Sequence, residues 1–321
     1  KGSPVTERAH FEATTTLSAA QVAAVEQLIE RVTALDGVRP LSERVIRHVR
    51  SSTSDEYLDI CASIGPTLLG YAAVDRSNSP DYPAVEMAVD GAGRALGVDG
   101  ELLDRALQKA DGRLELWAHG RTASAARLAQ SRGFIKSREL FRMRRSLREA
   151  LPDAPILDSI AIRPFEASTD VEAWLELNRR AFVDLPDQGE WTESDLRLRL
   201  SEDWFDPDGF LLAHEIDADG SEGALLGFHW TKVHQHSGES GDADQPVGEV
   251  YVLGIDPDQQ GRGLGRALTI AGLQHLQRQE IDEAILYVES DNAAALATYE
   301  RLGFTIYNAD ALYRSPDTGQ N

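Results

Sequence analysis

Apolar side chains fall on two periods along the chain, and the period changes often. Between residues 18 and 35, Val22, Val25, Ile29, Val32 and Leu35 recur every three or four positions, which lays them on one helix face. Ser18 with Gln21 three residues on has the form of a capping box. Shorter apolar runs read as strands: YLDICA at 57–62, TLLGYAAV at 67–74 and AVEMAV at 84–89. A helix is expected from about Gly97 to Ala110, a strand over LELWAH (114–119), a helix from about Thr122 to Arg132 and a strand around FIKSRELFRM (134–143).

The segment REALPDAPILDS (148–159) breaks the pattern with two prolines, and the same order of elements then returns. Strand IAIRPF (160–165) leads into helices opened by Thr169 with Glu172 and by Thr192 with Asp195, both at capping-box spacing. Strands FLLAHE, ALLGFHWTKV and EVYVLGI follow, then a helix from about Gly263 with Leu264, Leu268 and Ala271 inward, strand AILYVES, helix NAAALATYERLG and strand FTIYN. SRGF (131–134) placed on RLGF (301–304) aligns the preceding strand and helix without a gap, and Val89-Asp90 placed on Ile255-Asp256 aligns the strands before them. The chain therefore reads as an α/β protein with an internal duplication, divided into residues 1–150 and 151–321. The polar, glycine-rich HQHSGESGDADQPV is expected to be a mobile hairpin loop. The histidines of HWTKVHQH come with no carboxylate spacing that makes a metal site, so no metal is expected.

Composition narrows the partners. A formal net charge of −21 argues against nucleic acid, whose binding needs clustered Lys and Arg, so any anion site must be local. Cys61 is the single cysteine, expected as a small buried residue; no intrachain disulfide can form, and a reducing, cytoplasmic compartment is expected. No apolar run approaches the length of a membrane span, and KGSPVTERAH lacks the apolar core of a leader. A monomer is expected.

The sharpest chemistry lies in GEVYVLGIDPDQQGRGLG (248–265), where a strand runs into a glycine-rich helix start. Backbone N–H groups there have no intrahelical acceptor and sit at the positive end of the helix dipole, so the entry is an anion cradle. The spacing G-x-G-x-G does not fit the dinucleotide fingerprint G-x-G-x-x-G, and a phosphate loop of the G-K-[ST] type is excluded because the stretch has no lysine. QGRGLG (260–265) does fit the acyl-CoA motif Q/R-x-x-G-x-G/A. Together with LYVESDNAAALATYERLGF, residues 249–304 resemble the GCN5-related N-acetyltransferase (GNAT) superfamily.

The resemblance implies two tandem GNAT domains, each a mixed, mostly antiparallel central sheet flanked by helices, with acetyl-CoA as co-substrate. It implies that Leu253, Gly254 and Ile255 offer backbone N–H groups to the thioester and the pantetheine arm. Gln260, Gly261, Arg262, Gly263, Leu264, Gly265 and Arg266 would hold the pyrophosphate, and Asn292, Ala293, Ala294, Ala295, Leu296 and Ala297 would line the CoA arm. Glu249 takes the part of general base and Tyr299 that of general acid; Tyr299 also shares a helix face with Ala295 and Leu302, a packing role that is compatible. VYVLGIDP, GFHWTKV, FDPDGF and LYVESDN resemble a tandem branch that acetylates a cysteinyl amine on a glucosamine–inositol pseudodisaccharide. That match assigns Glu43, Asp187, Lys232, Glu249 and Tyr287 to the substrate, with Asp187 standing where the branch more often has Glu. Another small amine, or a non-catalytic acyl-CoA-binding regulator, remains open at this point.

The first half reads as a degenerate copy. Asp99 stands for Gly265, Ala129 for Tyr299, Trp117 for Tyr287 and Pro83 for Glu249, so acetyl transfer is not expected there. Weak CoA binding through Met87, Ala88, Val89, Arg94, Ala95, Leu96, Gly97 and Val98 is retained as an expectation.

Overall fold

Ser18 caps the first long helix as its spacing predicts: its hydroxyl accepts from the Gln21 N–H, and the Gln21 side chain accepts from the Ser18 N–H. The computed structural model describes residues 8–51, 56–77, 81–120, 123–154, 159–183, 185–235 and 245–316. In chain order the elements are β1 (His10–Thr14), α1 (Ala19–Asp36), α2 (Glu43–Ser51), β2 (Tyr57–Ile64), β3 (Thr67–Asp75), β4 (Ala84–Val89), α3 (Gly91–Ala95), α4 (Val98–Lys109), β5 (Glu115–Ala118), α5 (Ala123–Ser131) and β6 (Ile135–Ser146). There follow β7 (Ile160–Pro164), α6 (Val171–Ala181), α7 (Pro186–Gly189), α8 (Glu193–Leu200), β8 (Phe210–Ile216), β9 (Glu222–His234), β10 (Val247–Ile255), α9 (Leu264–Arg278), β11 (Glu283–Glu289), α10 (Ala293–Arg301) and β12 (Thr305–Arg314).

Two compact units emerge, residues 1–140 with 308–321, and residues 141–307. The first carries the sheet β1-β2-β3-β4-β5-β12; the second carries β7-β8-β9-β10-β11 followed by β6 from Phe141 on. In each, the first four strands run antiparallel and the fourth pairs parallel with the fifth. A cut after residue 150 differs from these units in one respect: the last strands of the two repeats have exchanged sheets. Both follow the same Gly-Phe turn, Gly133-Phe134 and Gly303-Phe304 with positive φ at each glycine, so either repeat's last strand matches the sixth position.

Each sheet is covered on both faces, which is why its strands read as nearly continuous apolar runs. In the first unit Leu102, Leu103 and Ala129 of α4 and α5 pack on one face, and Val25, Leu28 and Val32 of α1 on the other. In the second, Ile270 and Leu273 of α9 with Tyr299 of α10 cover one face, and Trp174 and Leu196 of α6 and α8 the other. Cys61 is buried in β2, and burial, with Asp59 and Glu12 adding to it, pushes its thiol up to about 12.

Three expectations change. Leu35 is 56% exposed because Gly37 ends α1 in the left-handed region, and Leu28 takes its place in the buried stripe. Thr169 does not open α6. Asp170 stands at the N-cap, and its carboxylate is spent on Arg163 (2.7 and 2.9 Å) and the Glu166 N–H (2.7 Å) instead of on the helix. Thr192 and Asp195 do form their capping box. β1, α2, α3 and α7 were not anticipated; their short lengths carry too few repeats for periodicity to register.

Candidate active site

β10 explains the first half of the GEVYVLGIDP stretch. It pairs with β9 along nearly its whole length, but its parallel pairing with β11 covers only Gly248, Glu249 and Val250 against Ala284, Ile285 and Leu286. The register shifts between Val250 and Val252, a bulge at Tyr251, and beyond it β10 continues to Ile255 with β9 alone. The two parallel strands therefore part, and Leu253, Gly254 and Ile255 have no ladder partners on β11. Gly254 is required there: a Cβ would meet the Phe228 ring at 2.4 Å. Gly254→Ala is expected to cost about 1–3 kcal/mol by overpacking, read as a lower denaturant midpoint; an unchanged midpoint means the ring moves aside freely.

The chain then makes a single 3-10 turn and enters α9. Gly261 and Gly263 sit at φ 78° and 86°, where other residues are strained, and Ala267 is the first residue of α9 whose N–H finds an intrahelical acceptor, the Gly263 carbonyl. Gln260, Arg262 and Arg266 are exposed beside this start. Leu264 is 1% exposed, its side chain turned into the core. Arg262 bonds the Gln259 side chain and Arg266 donates to the Asp153 carbonyl. Asp256, buried and held by Arg180 of α6 at 2.8 Å, fixes the turn by accepting from the Asp258 N–H. Sequence reading missed Arg180 because nothing local ties α6 to a turn 76 residues away.

Strand alternation sorts the remaining residues by face. Glu249 lies opposite Lys232, and with His234 and Tyr287 it faces the α6 and α8 side; Tyr299 packs on the α9 and α10 side against Val250, Leu286 and Phe304. Glu249 is 8% exposed, and its Oε2 lies 2.6 Å from Nε2 of His234. Lys232 sets its ammonium 5.1 Å from the Trp204 ring and 5.6 Å from the Tyr251 ring. Tyr287 is half-buried, with the Arg142 guanidinium 5.3 Å over its ring. Burial raises the Tyr299 hydroxyl well above its ordinary range, which keeps its proton on at neutral pH. Asn292 caps α10 by accepting from the Ala295 N–H; Ala293 and Ala294 are exposed, and Ala295, Leu296 and Ala297 half-buried. His229, also in the histidine-rich strand, is interior: burial pushes it down to about 4, and its Nδ1 meets the Leu268 carbonyl at 2.8 Å. Asp187 lies in α7, but its side chain is outside the described residues, as is most of the HQHSGESGDADQPV loop.

The first unit repeats the divergence. β4 pairs with β5 only from Ala84 to Glu86, then continues to Val89 against β3. A cleft of ≈ 80 Å³ lies there, lined by Met87, Val89, Trp117 and Arg94 among others. Arg94 bonds Asp36 through both terminal nitrogens. Ala88 and Val98 are buried, and Ala95, Leu96 and Gly97 exposed. The residue in the place of Glu249 is Ala84, not Pro83: Ala84 pairs with Glu115, which aligns with Ile285, the partner of Glu249. The bulge at Tyr251 accounts for the one-residue difference. Glu43 is exposed in the first turn of α2. Among the described residues no cluster of His, Cys, Asp and Glu is placed to hold a metal ion, and no helix is long and apolar enough to cross a membrane.

A divergent strand pair followed by a bare helix start defines an acyl-CoA N-acyltransferase of the GNAT class, and the acetyltransferase (GNAT) family model matches residues 171–304. The fold agrees. A GCN5-related N-acetyltransferase from Sphaerobacter thermophilus superimposes with a TM-score of 0.73 at 21% identity, covering 95% of this chain and 96% of that one. A tandem GNAT protein from the clavulanic acid biosynthesis pathway gives 0.71 at 16% identity over 98% and 100%. Much nearer in sequence are the mycothiol acetyltransferases of Streptosporangium roseum, 41% identical over 92% of this chain and 96% of that protein, and of Geodermatophilus obscurus, 44% identical over 93% and 95%. The chain belongs to the mycothiol acetyltransferase family.

Proposed function

We propose that the chain transfers the acetyl group of acetyl-CoA to the cysteinyl amine of desacetylmycothiol, 1D-myo-inositol 2-(L-cysteinylamino)-2-deoxy-α-D-glucopyranoside, the last step of mycothiol biosynthesis. Acetyl-CoA supplies the thioester carbonyl. Backbone N–H groups at Leu253, Gly254 and Ile255 hold its oxygen and the pantetheine arm, the α9 start takes the pyrophosphate, and α10 from Asn292 to Ala297 flanks the arm. Glu249 accepts a proton from the amine, and Tyr299 returns one to the CoA sulfur. Lys232, Tyr287 and Asp187 bind the polar substrate.

The observation that carries this reading is the placement of Glu249 and Tyr299 on opposite faces of one sheet, beside the parting of β10 and β11. Only through that opening do an amine on one face and a sulfur on the other meet at a single carbonyl. Ala84, Trp117, Ala129 and Asp99 in the first unit support a non-catalytic role for it. The Arg94–Asp36 pair supports only weak CoA binding there, since the pyrophosphate must compete with a carboxylate. We place the enzyme in the cytoplasm as a monomer acting on small molecules, without nucleic acid or membrane.

The test is acetyl-CoA-dependent turnover of the pseudodisaccharide amine by the full chain. One free CoA thiol per N-acetyl product is expected. Turnover of other amines but not this one overturns the substrate, and no thiol release with any amine leaves acyl-CoA binding alone.

A further inference from the structure

His234 ends β9 two residues beyond Lys232, so alternation puts it on the same face, diagonal to Glu249 across the strand pair. Its Nε2 lies 2.6 Å from Glu249 Oε2, and the two side chains are 17% and 10% exposed. An ionised carboxylate only accepts, so Nε2 carries the hydrogen of this bond. The last torsion of a glutamate side chain is a broad, shallow rotor, and an unheld carboxylate presents either oxygen at many angles. A hydrogen bond to Oε2 stops that rotation and leaves Oε1 for the substrate.

We propose that His234 is a positioning residue for acetyl transfer: it orients Glu249 to receive the proton of the attacking amine. This rests on the reading of Glu249 as the base. The step balances within that reaction, because the proton leaves the amine nitrogen for Oε1 while His234 keeps its own.

The test is steady-state kinetics of the full chain with acetyl-CoA and the pseudodisaccharide amine. His234→Ala is expected to lower kcat about tenfold, a part of the usual contribution of a general base, with KM for acetyl-CoA unchanged. His234→Gln, whose amide nitrogen reaches the place of Nε2, recovers most of the rate. His234→Asn is equally polar, but its nitrogen sits where Nδ1 was, and it stays slow. The double variant His234→Ala with Glu249→Gln is no slower than Glu249→Gln alone, because His234 acts through Glu249. An unchanged kcat in His234→Ala, a Gln variant as slow as Asn, or further loss in the double variant overturns the proposal while Glu249 stays the base. An unchanged rate in Glu249→Gln alone removes the base reading, and the proposal with it.

Discussion

Glu249→Gln is expected to lower kcat about 100- to 10,000-fold, the usual contribution of a general base, while KM for acetyl-CoA stays near its original value. The substitution keeps the shape of the side chain and an oxygen to accept from His234, 2.6 Å away in the parent. It removes only the ability to take a proton. Acetyl-CoA affinity is insulated because the groups proposed to hold the cofactor are backbone N–H groups on the far half of β10 and at the start of α9, past the Tyr251 bulge from Glu249. Steady-state rates at saturating acetyl-CoA give kcat, and titration of acetyl-CoA gives the KM. If the variant turns over at the parent rate, a water or another side chain takes the proton. If KM rises with kcat unchanged, Glu249 is a binding residue only.

How much of this site was legible depends on whether its signal is local. The glycine-rich helix start was, because positive φ at Gly261 and Gly263 and a helix beginning at Leu264 all follow from consecutive residues. Glu249 and Lys232 were assigned through family resemblance, and the register then puts them opposite each other. His234 carries a signal of a different kind: in a strand, two residues beyond Lys232 means the same face, which alternation reads and a metal-ligand spacing does not. The exchange of β6 and β12 had no sequence signal, since the two copies share their pattern and each suits either sheet. The same exchange hid a polar cluster. Asp310 of β12 meets His119 across 191 positions of sequence, and no spacing rule joins them.

That cluster is where the largest stability effect is expected. His119 is held on both ring nitrogens, Nε2 at 3.0 Å from Glu86 and Nδ1 at 3.2 Å from Asp310, while Asp310 also accepts from the Gly120 N–H at 2.8 Å. Glu86 in turn accepts from the Ser42 N–H and hydroxyl. Burial alone lowers the imidazole, but the Glu86 charge and the Asp310 bond overcome it and raise His119 from its ordinary 6.5 to about 10. Burial likewise raises Glu86, and His119 with Ser42 reverses it, leaving that carboxyl below its ordinary value.

The signs follow by linkage. The His119 contribution is full below pH 6.5 and is lost as pH rises through about 10; the Glu86 contribution is present above pH 4.5 and is lost as pH falls through its lowered value. The first unit is therefore held best between these limits. Asp310→Ala leaves a buried imidazolium with one carboxylate and the Gly120 N–H without its acceptor, for an expected loss of about 3–5 kcal/mol. Arg314→Ala, four residues on in the same strand, breaks a pair with Glu115 whose arginine is 52% exposed, and is expected to cost at most about 1 kcal/mol. Urea midpoints of both variants at pH 6 and pH 9.5 decide the matter. Asp310→Ala must lose more than Arg314→Ala, and its deficit must shrink at pH 9.5, where the parent has already surrendered part of the imidazolium. Equal losses, or a deficit unchanged with pH, mean that β12 is held by its ladder and apolar contacts alone.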